Sequence, residues 1–446
     1  MALSLGQKAG WGLADMGIVV FVVVKQLLVL VFLTSVLGVP VGIAGFVTTA
    51  VLIFDMVTDP LVGHYSDRTH SRFGRRAPWM AVGAVVMAAG MAALFAVPDG
   101  LPLAGDLAWV IAFFGVATIG FTMVAIPFSA QAGEMTQDPR ERSAMTGWRM
   151  GFASVGILIG GALVPGLAAN MGYAMAAVAV SPLIIGAIWI SLFATRKAPR
   201  LAQDAPIPLK EAYRLVFDNR AFMVLVALYG VMTLAIALIT AGLPFAAIYL
   251  IVDAGDNALS GVAEALTTLS LMFAAFVVGS IVSQAFWVRL SNQIGKLAAL
   301  QGGLVLYVTL LCGLFSVLPS VNVTAMAGMF VLAGFANGSY QQIPWALYPD
   351  LMDVTRAKTG AAIEGAFSAV WLFGQKLANA LAPLVLGLFL QAAGWLETTA
   401  GVVTQEPSAI TMLHVAITLI PAAILVISLL GLALVYRPLA QAALGR

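Results

Sequence analysis

The chain has 446 residues, 61% of them hydrophobic and only 9% charged, with a net charge of +2 and a mean hydropathy of +1.00. Soluble domains carry roughly 25% charged residues, so this composition excludes a soluble globular protein and places most of the chain in a lipid bilayer. A charge of +2 gives no reason to expect nucleic acid as a partner.

Twelve apolar runs are long enough to span, each about 20 residues or more. They lie near 9–37, 41–66, 78–98, 104–132, 143–168, 172–195, 220–251, 259–288, 297–318, 322–349, 361–391 and 408–436. The expected fold is an all-α membrane protein of twelve transmembrane helices. The first run is too long for a signal peptide and has no small-residue cleavage site. The lone Cys312, inside the ninth run, precludes an internal disulfide and reads as a packing residue.

Basic residues set the orientation. Of the 22 Lys and Arg, all but Lys25, Arg149 and Lys376 lie at the two termini or in the even-numbered connections 67–77, 133–142, 196–220, 289–296 and 350–358. The odd-numbered connections hold Asp99, Asp106, Asp253, Asp256, Glu397 and Glu406 and no basic residue. The positive-inside rule then puts both termini in the cytoplasm. The longest basic connection divides the chain into an N-terminal six-helix bundle, 1–195, a cytoplasmic connection, 196–220, and a C-terminal six-helix bundle, 221–446. A Gly-plus-basic loop follows the second run, Asp67-Arg68 to Gly74-Arg75-Arg76, and a worn copy, Arg289 to Gly295-Lys296, follows the eighth. That recurrence is what a parallel six-plus-six repeat implies, with a substrate site at the midplane between halves.

Inside the second run, Asp55 and Asp59 are about one helical turn apart and share a face. Each carboxylate costs roughly 2.5–3.5 kcal/mol at a helix centre unless something neutralises it, so two on one face make a trap for a cation or proton. Neutralisation by a basic residue, or a solvated loop end, is the structural alternative. Counted at 1.5 Å per residue from each helix centre, Lys25, Asp55 and Lys376 lie near mid-depth, and Asp15, Asp59 and Arg149 lie roughly 10 Å nearer the cytoplasm. Lys25 and Lys376 are candidate charge partners for the carboxylates, or structural counter-ions. Thr122 offers a neutral oxygen to a hard cation. His64, His70 and His414 form no metal set, and no Walker loop, nucleophile elbow or dinucleotide fingerprint occurs, so no enzyme and no cofactor is expected.

The segment Asp55-x-x-x-Asp59-Pro60, running through Gly63, Asp67-Arg68, Ser71-Arg72, Gly74-Arg75-Arg76 and Pro78-Trp79, resembles the glycoside–pentoside–hexuronide cation symporters. These form the melibiose-permease-like branch of the major facilitator superfamily. Further matches are Gly12-Leu-Ala-Asp15-Met-Gly17, Arg140-Glu-Arg142 through Arg149, Pro344-Trp345-Ala346, Pro349-Asp350, Asp353, Lys358-Thr359-Gly360, Glu364-Gly365 and Lys376. The resemblance implies a major facilitator fold and alternating-access symport of a sugar with sodium, lithium or protons. Asp55 and Asp59 would then bind the cation with Lys376 beside them, and Asp15, Arg149 and Lys376 would be substrate-binding, Arg149 by hydrogen bonds. Trp11, Trp148, Tyr340, Trp345 and Trp371 are candidate stacking aromatics, with Trp148 and Trp345 taken as substrate-binding. Asp67, Arg68, Arg75 and Arg76 would gate the cytoplasmic side by pairing with Asp353 and Glu364.

Two departures from the family pattern stand out. Melibiose permeases carry an aspartate two residues before the helix-four proline and a tryptophan two after it; here those positions are Ala125 and Ser129, around Pro127. Lys25, at the depth of Asp55, is the second. The expected partners are a sugar-like small molecule, the coupling ion and the lipid of a bacterial inner membrane, with the chain a monomer. A carrier of an amphipathic or lipid-like molecule, and a non-transporting membrane assembly factor, are the alternatives.

Overall fold

The computed structural model describes residues 3–69, 71–136, 138–199, 209–359 and 364–444. Apart from one isolated β-bridge, Ile251 to Ser320, the regular structure among them is helical. Among the described residues, eleven helices are long and apolar enough to cross a membrane, one fewer than the apolar runs suggest. The helix that is not among the eleven is Val323–Thr359, the longest at 37 residues. Its middle carries Asn337, Ser339, Tyr340, Gln341 and Gln342, which dilute its apolar content without shortening it. Contact clustering resolves two compact units.

The first unit comprises 1–204 with the segments 262–271 and 397–403. Its helices are Leu5–Ser35, Val41–Arg68, Ala77–Phe95, Leu103–Met135, a fifth running from Pro139 to Met171, and Tyr173–Thr195. The first helix is its spine, buried along most of its length from Trp11 onward. A reciprocal cap starts it: Ser4 Oγ accepts from the Gln7 amide, and Gln7 Oε1 accepts from the Ser4 amide. Gly12 brings it against the fifth helix, since a Cβ there would stand 2.7 Å from the Arg149 backbone nitrogen. The fifth helix widens into a π turn at Ile159–Leu163. Pro165 follows it and has no amide to return to the preceding turn, which accounts for the local change of pitch.

The second helix begins at Pro40, which gives no side-chain cap. A residue 356 positions away does this instead: Glu397 Oε1 accepts from the Val41 amide at 2.8 Å. Thr398 and Gly401 add amide bonds to the carbonyls of Thr34 and Ser35, so the segment 397–403 clasps the turn between the first two helices.

The second unit comprises 205–261, 272–396 and 404–446. It contains Leu209–Asp218, Arg220–Tyr249, most of Thr268–Ile294, Lys296–Val317, Val323–Thr359, Glu364–Ala392 and a last helix from Pro407 to Leu444, broken at Thr418 and widened at Leu432–Tyr436. An aromatic core joins three of them: Tyr229 stacks on Trp371 at 4.3 Å and on Tyr340 at 5.5 Å, and Tyr348 stacks on Trp371 at 4.9 Å. Cys312 is exposed on its helix and does not pack inward as its apolar surroundings suggest.

Each unit repeats one device. Gly74 and Gly295 both take positive φ, +93° and +90°, and turn the chain into the next helix. The basic residue after each turn grips an acid near the end of the following long helix: Arg75 and Arg76 meet Glu134, and Lys296 meets Asp350 at 2.7 Å. The worn second copy of the loop is therefore the same structural element.

A side chain at position 12 has no room against the fifth helix. Gly12→Val is expected to lower stability by about 1–3 kcal/mol through overpacking, read as a fall in the thermal unfolding midpoint of detergent-purified protein. An unchanged midpoint would show that the two backbones do not touch there.

Candidate functional site

Two ion pairs lie deep along the first helix of the first unit. On the first helix, Asp15 and Lys25 are ten residues apart, about 15 Å along the axis. Asp15 receives a hydrogen bond from Arg149 Nε at 2.8 Å. Lys25 Nζ lies 4.0 Å from Asp55 Oδ2, with the two residues only 6% and 4% exposed. Two levels of opposite charge result, joined by one helix.

At the upper level in this description, Asp55 is held by three helices. Thr122 of the fourth helix donates from Oγ1 to Asp55 Oδ1 at 2.8 Å. Lys25 approaches the other oxygen from the first helix, its ammonium 4.5 Å from the Phe121 ring centroid and 5.3 Å from that of Phe21. Ring faces carry negative quadrupole and attract an ammonium. The Thr58 hydroxyl donates to the Asp55 carbonyl oxygen at 3.0 Å, and Pro60 withholds an amide from the turn that carries Asp59. Asp59 is half-buried, one turn from Asp55.

At the other level, Arg149 uses Nε on Asp15 and lays its guanidinium over Phe128, 5.4 Å from the centroid. Phe128 in turn stacks on Trp11 at 4.7 Å. Among the described residues, the terminal NH2 groups of Arg149 make no hydrogen bond, and the side chain is about a third exposed. A fixed fork with its outer edge open suits a planar pair of acceptors such as a carboxylate or adjacent hydroxyls. The buried Trp11 Nε1 also has no hydrogen-bond partner among the described residues, leaving a further donor beside this pair.

Of the other site residues expected from sequence, Trp148 is exposed and stacks along its own helix on Phe152. Trp345 is in the second unit, partly exposed, with Nε1 donating to Tyr229 Oη at 3.1 Å. Tyr340 and Trp371 are enclosed in the aromatic core and Trp11 is buried, so none of these three offers an open stacking face. Lys376 is half-buried on Glu364–Ala392 in the second unit. Ala125 and Ser129 leave the fourth helix without a carboxylate, and the Ser129 hydroxyl donates to the Ala125 carbonyl oxygen at 2.8 Å. The aromatic ring near Arg149 comes from Phe128, one residue earlier than the family position.

Among the gating candidates, Arg75 and Arg76 converge on Oε1 of Glu134, with Arg76 Nε at 2.8 Å. Glu134 is buried, and sequence reasoning passed over it. It is the one acid between Asp106 and Asp138, which is a legible signal once the loop's basic residues need a partner. Arg68 and Asp353 are exposed; the side chains of Asp67 and Glu364, and residues 360–363 just before Glu364, lie outside the described residues. Among the described residues, no group of three His, Cys, Asp or Glu side chains is placed to hold a metal.

An all-helical chain with eleven candidate spans and paired charges buried within them is the structure of a membrane transporter. Residues 10–437 match the family model described as MFS/sugar transport protein, and the chain belongs to that family, whose members are transporters and not enzymes. It is 24% identical over 430 residues to the Escherichia coli protein named "Putative glycoside/cation symporter YagG", covering 94% of this chain and 89% of the relative. It is 23% identical over 420 residues to a sodium-dependent lysophosphatidylcholine symporter of Danio rerio, covering 84% and 75%. The solved nucleoside transporter NupG has the same fold, with a TM-score of 0.66 at 12% identity, covering 96% of this chain and 98% of that one.

The two Gly–basic clasps differ in burial, and their energetics should differ accordingly. Removing the buried acid in Glu134→Ala takes away the carboxylate shared by Arg75 and Arg76 and is expected to cost about 3 kcal/mol or more. Lys296→Met, at a pair exposed by 38% and 42%, is expected to cost at most about 1 kcal/mol. Thermal unfolding of the two variants checks the order, and equal losses would contradict it.

Proposed function

We propose that this chain is a cation-coupled symporter of a sugar-like solute. In this reading it works by alternating access between two six-helix bundles, with Val323–Thr359 as the twelfth span, both termini in the cytoplasm and the host membrane a bacterial inner membrane. The observation that carries the reading is Asp55, a carboxylate 4% exposed in a membrane-spanning helix with Asp59 one turn away. Two acids in an apolar helix are costly, and a transported sodium ion or proton gives them a use.

The roles divide by level. Asp55, Asp59 and Thr122 serve the cation, with Lys25 and Lys376 as balancing charges. Asp15 positions Arg149, whose open edge binds solute acceptors; Trp148 and Trp345 supply exposed rings. Closure of the cytoplasmic side is assigned to Asp67, Arg68, Arg75 and Arg76 in one half, and to Asp353 and Glu364 in the other. The protein is taken as a monomer without a cofactor other than the coupling ion.

A second reading, carriage of an amphipathic molecule, draws support from Ala125 and Ser129, which leave helix four poor in groups for sugar hydroxyls. The Danio rerio relative, a lysophosphatidylcholine symporter, points the same way. Thermal-shift screening of the purified protein against neutral glycosides, acidic sugars and short-chain lysolipids separates the two. Saturable stabilisation by a sugar is expected, and stabilisation by lysolipids alone would move the assignment to the second reading.

With a solute in hand, the coupling roles are open to test in proteoliposomes. Asp59→Asn is expected to lose accumulation driven by a cation gradient while retaining exchange of solute down its own gradient. A variant that concentrates solute as well as the parent would remove Asp59 from coupling.

A further inference from the structure

Lys25 is the buried ionisable group that the family pattern does not explain. Four observations bear on it. Its ammonium stands 4.0 Å from Asp55 Oδ2. Lys25 and Asp55 are both almost fully buried. Two ring faces, of Phe121 and Phe21, lie against the Nζ. The Thr122 hydroxyl, the nearest neutral oxygen expected from sequence, directs its proton onto the other oxygen of Asp55.

A hard alkali cation needs several oxygen ligands around it. An ammonium needs no such shell: a carboxylate and aromatic faces stabilise it in place. A sodium ion bound at the same carboxylate would sit within a few ångströms of a like charge in a medium of low dielectric, where that repulsion is strong. The two cations exclude one another.

We propose that Lys25 is a tethered cation occupying the alkali-ion position at Asp55, so that this carrier binds neither sodium nor lithium there. The inference rests on the reading of Asp55 as the cation-side carboxylate of a symporter and narrows which ion that symporter uses. Sequence position agrees with the role: Lys25 is on the first helix, one turn from Phe21, and reaches a carboxylate that belongs to the second.

Equilibrium binding of radioactive sodium to purified protein tests this without any knowledge of the solute. The parent and Asp55→Asn are expected to bind equally, because nothing is lost at a position that sodium does not fill. Lys25→Met removes the tethered charge and is expected to bind one further equivalent, abolished in Lys25→Met/Asp55→Asn. In thermal unfolding, the same variant should gain a saturable stabilisation by sodium over choline at equal ionic strength, at least tenfold more sensitive than in the parent. Lys25→Gln serves if the methionine variant does not fold. Sodium binding by the parent that is lost in Asp55→Asn would overturn the inference, as would a folded Lys25 variant that gains no sodium site. Either result leaves transport itself untouched, whereas failure of any cation gradient to drive accumulation would refute the symporter reading and leave the binding result standing.

Discussion

An ionised side chain inside hydrocarbon must find an opposite charge or a polar neighbour, and that requirement organises the first unit. Its two deep pairs meet it differently. Asp15 and Arg149 share a hydrogen bond of 2.8 Å, braced by Phe128 and Trp11. Lys25 and Asp55 stand at 4.0 Å with two ring faces against the amine. The first geometry is that of a fixed anchor. The first depends on backbone contact, since Gly12 lets the first and fifth helices close up and brings Arg149 within reach of Asp15, three residues on.

The clasps at the loop ends work on a separate principle. A glycine at positive φ turns the chain, and the basic residue that follows reaches an acid at the end of a neighbouring helix. In the first unit the acid is buried and takes two arginines; in the second it is half-exposed and takes one lysine. The same fold element is thus strongly held in one half and weakly held in the other, a difference in burial rather than in design.

Much of this was legible in the sequence. Hydropathy marks the helices, because a bilayer-spanning segment must satisfy its own backbone and present apolar side chains. Depth counting sets Lys25 level with Asp55, and Asp15 level with Arg149, before any fold is known, since the rise per residue is fixed. The azimuth of each helix is not fixed by its own sequence, so that counting could not say which neighbours meet. Glu134 as partner of Arg75 and Arg76, Phe128 as the ring under Arg149, and Phe121 beside Lys25 all depend on how helices face one another. Glu397 capping the second helix is further still from local reasoning, 356 residues away. Val323–Thr359 reads as an apolar run over its first part and loses that character at Asn337 to Gln342, where polar groups break the pattern without breaking the helix.

The central claim is that Lys25 and Asp55 neutralise each other inside the membrane. A double-mutant cycle on the stability of the purified protein, comparing Lys25→Met, Asp55→Asn and the variant carrying both, measures it most directly. The account predicts that each single change, by unbalancing two opposite buried charges, lowers the unfolding midpoint more than the double change does. Losses that simply add, with the double variant the least stable of the three, would contradict it.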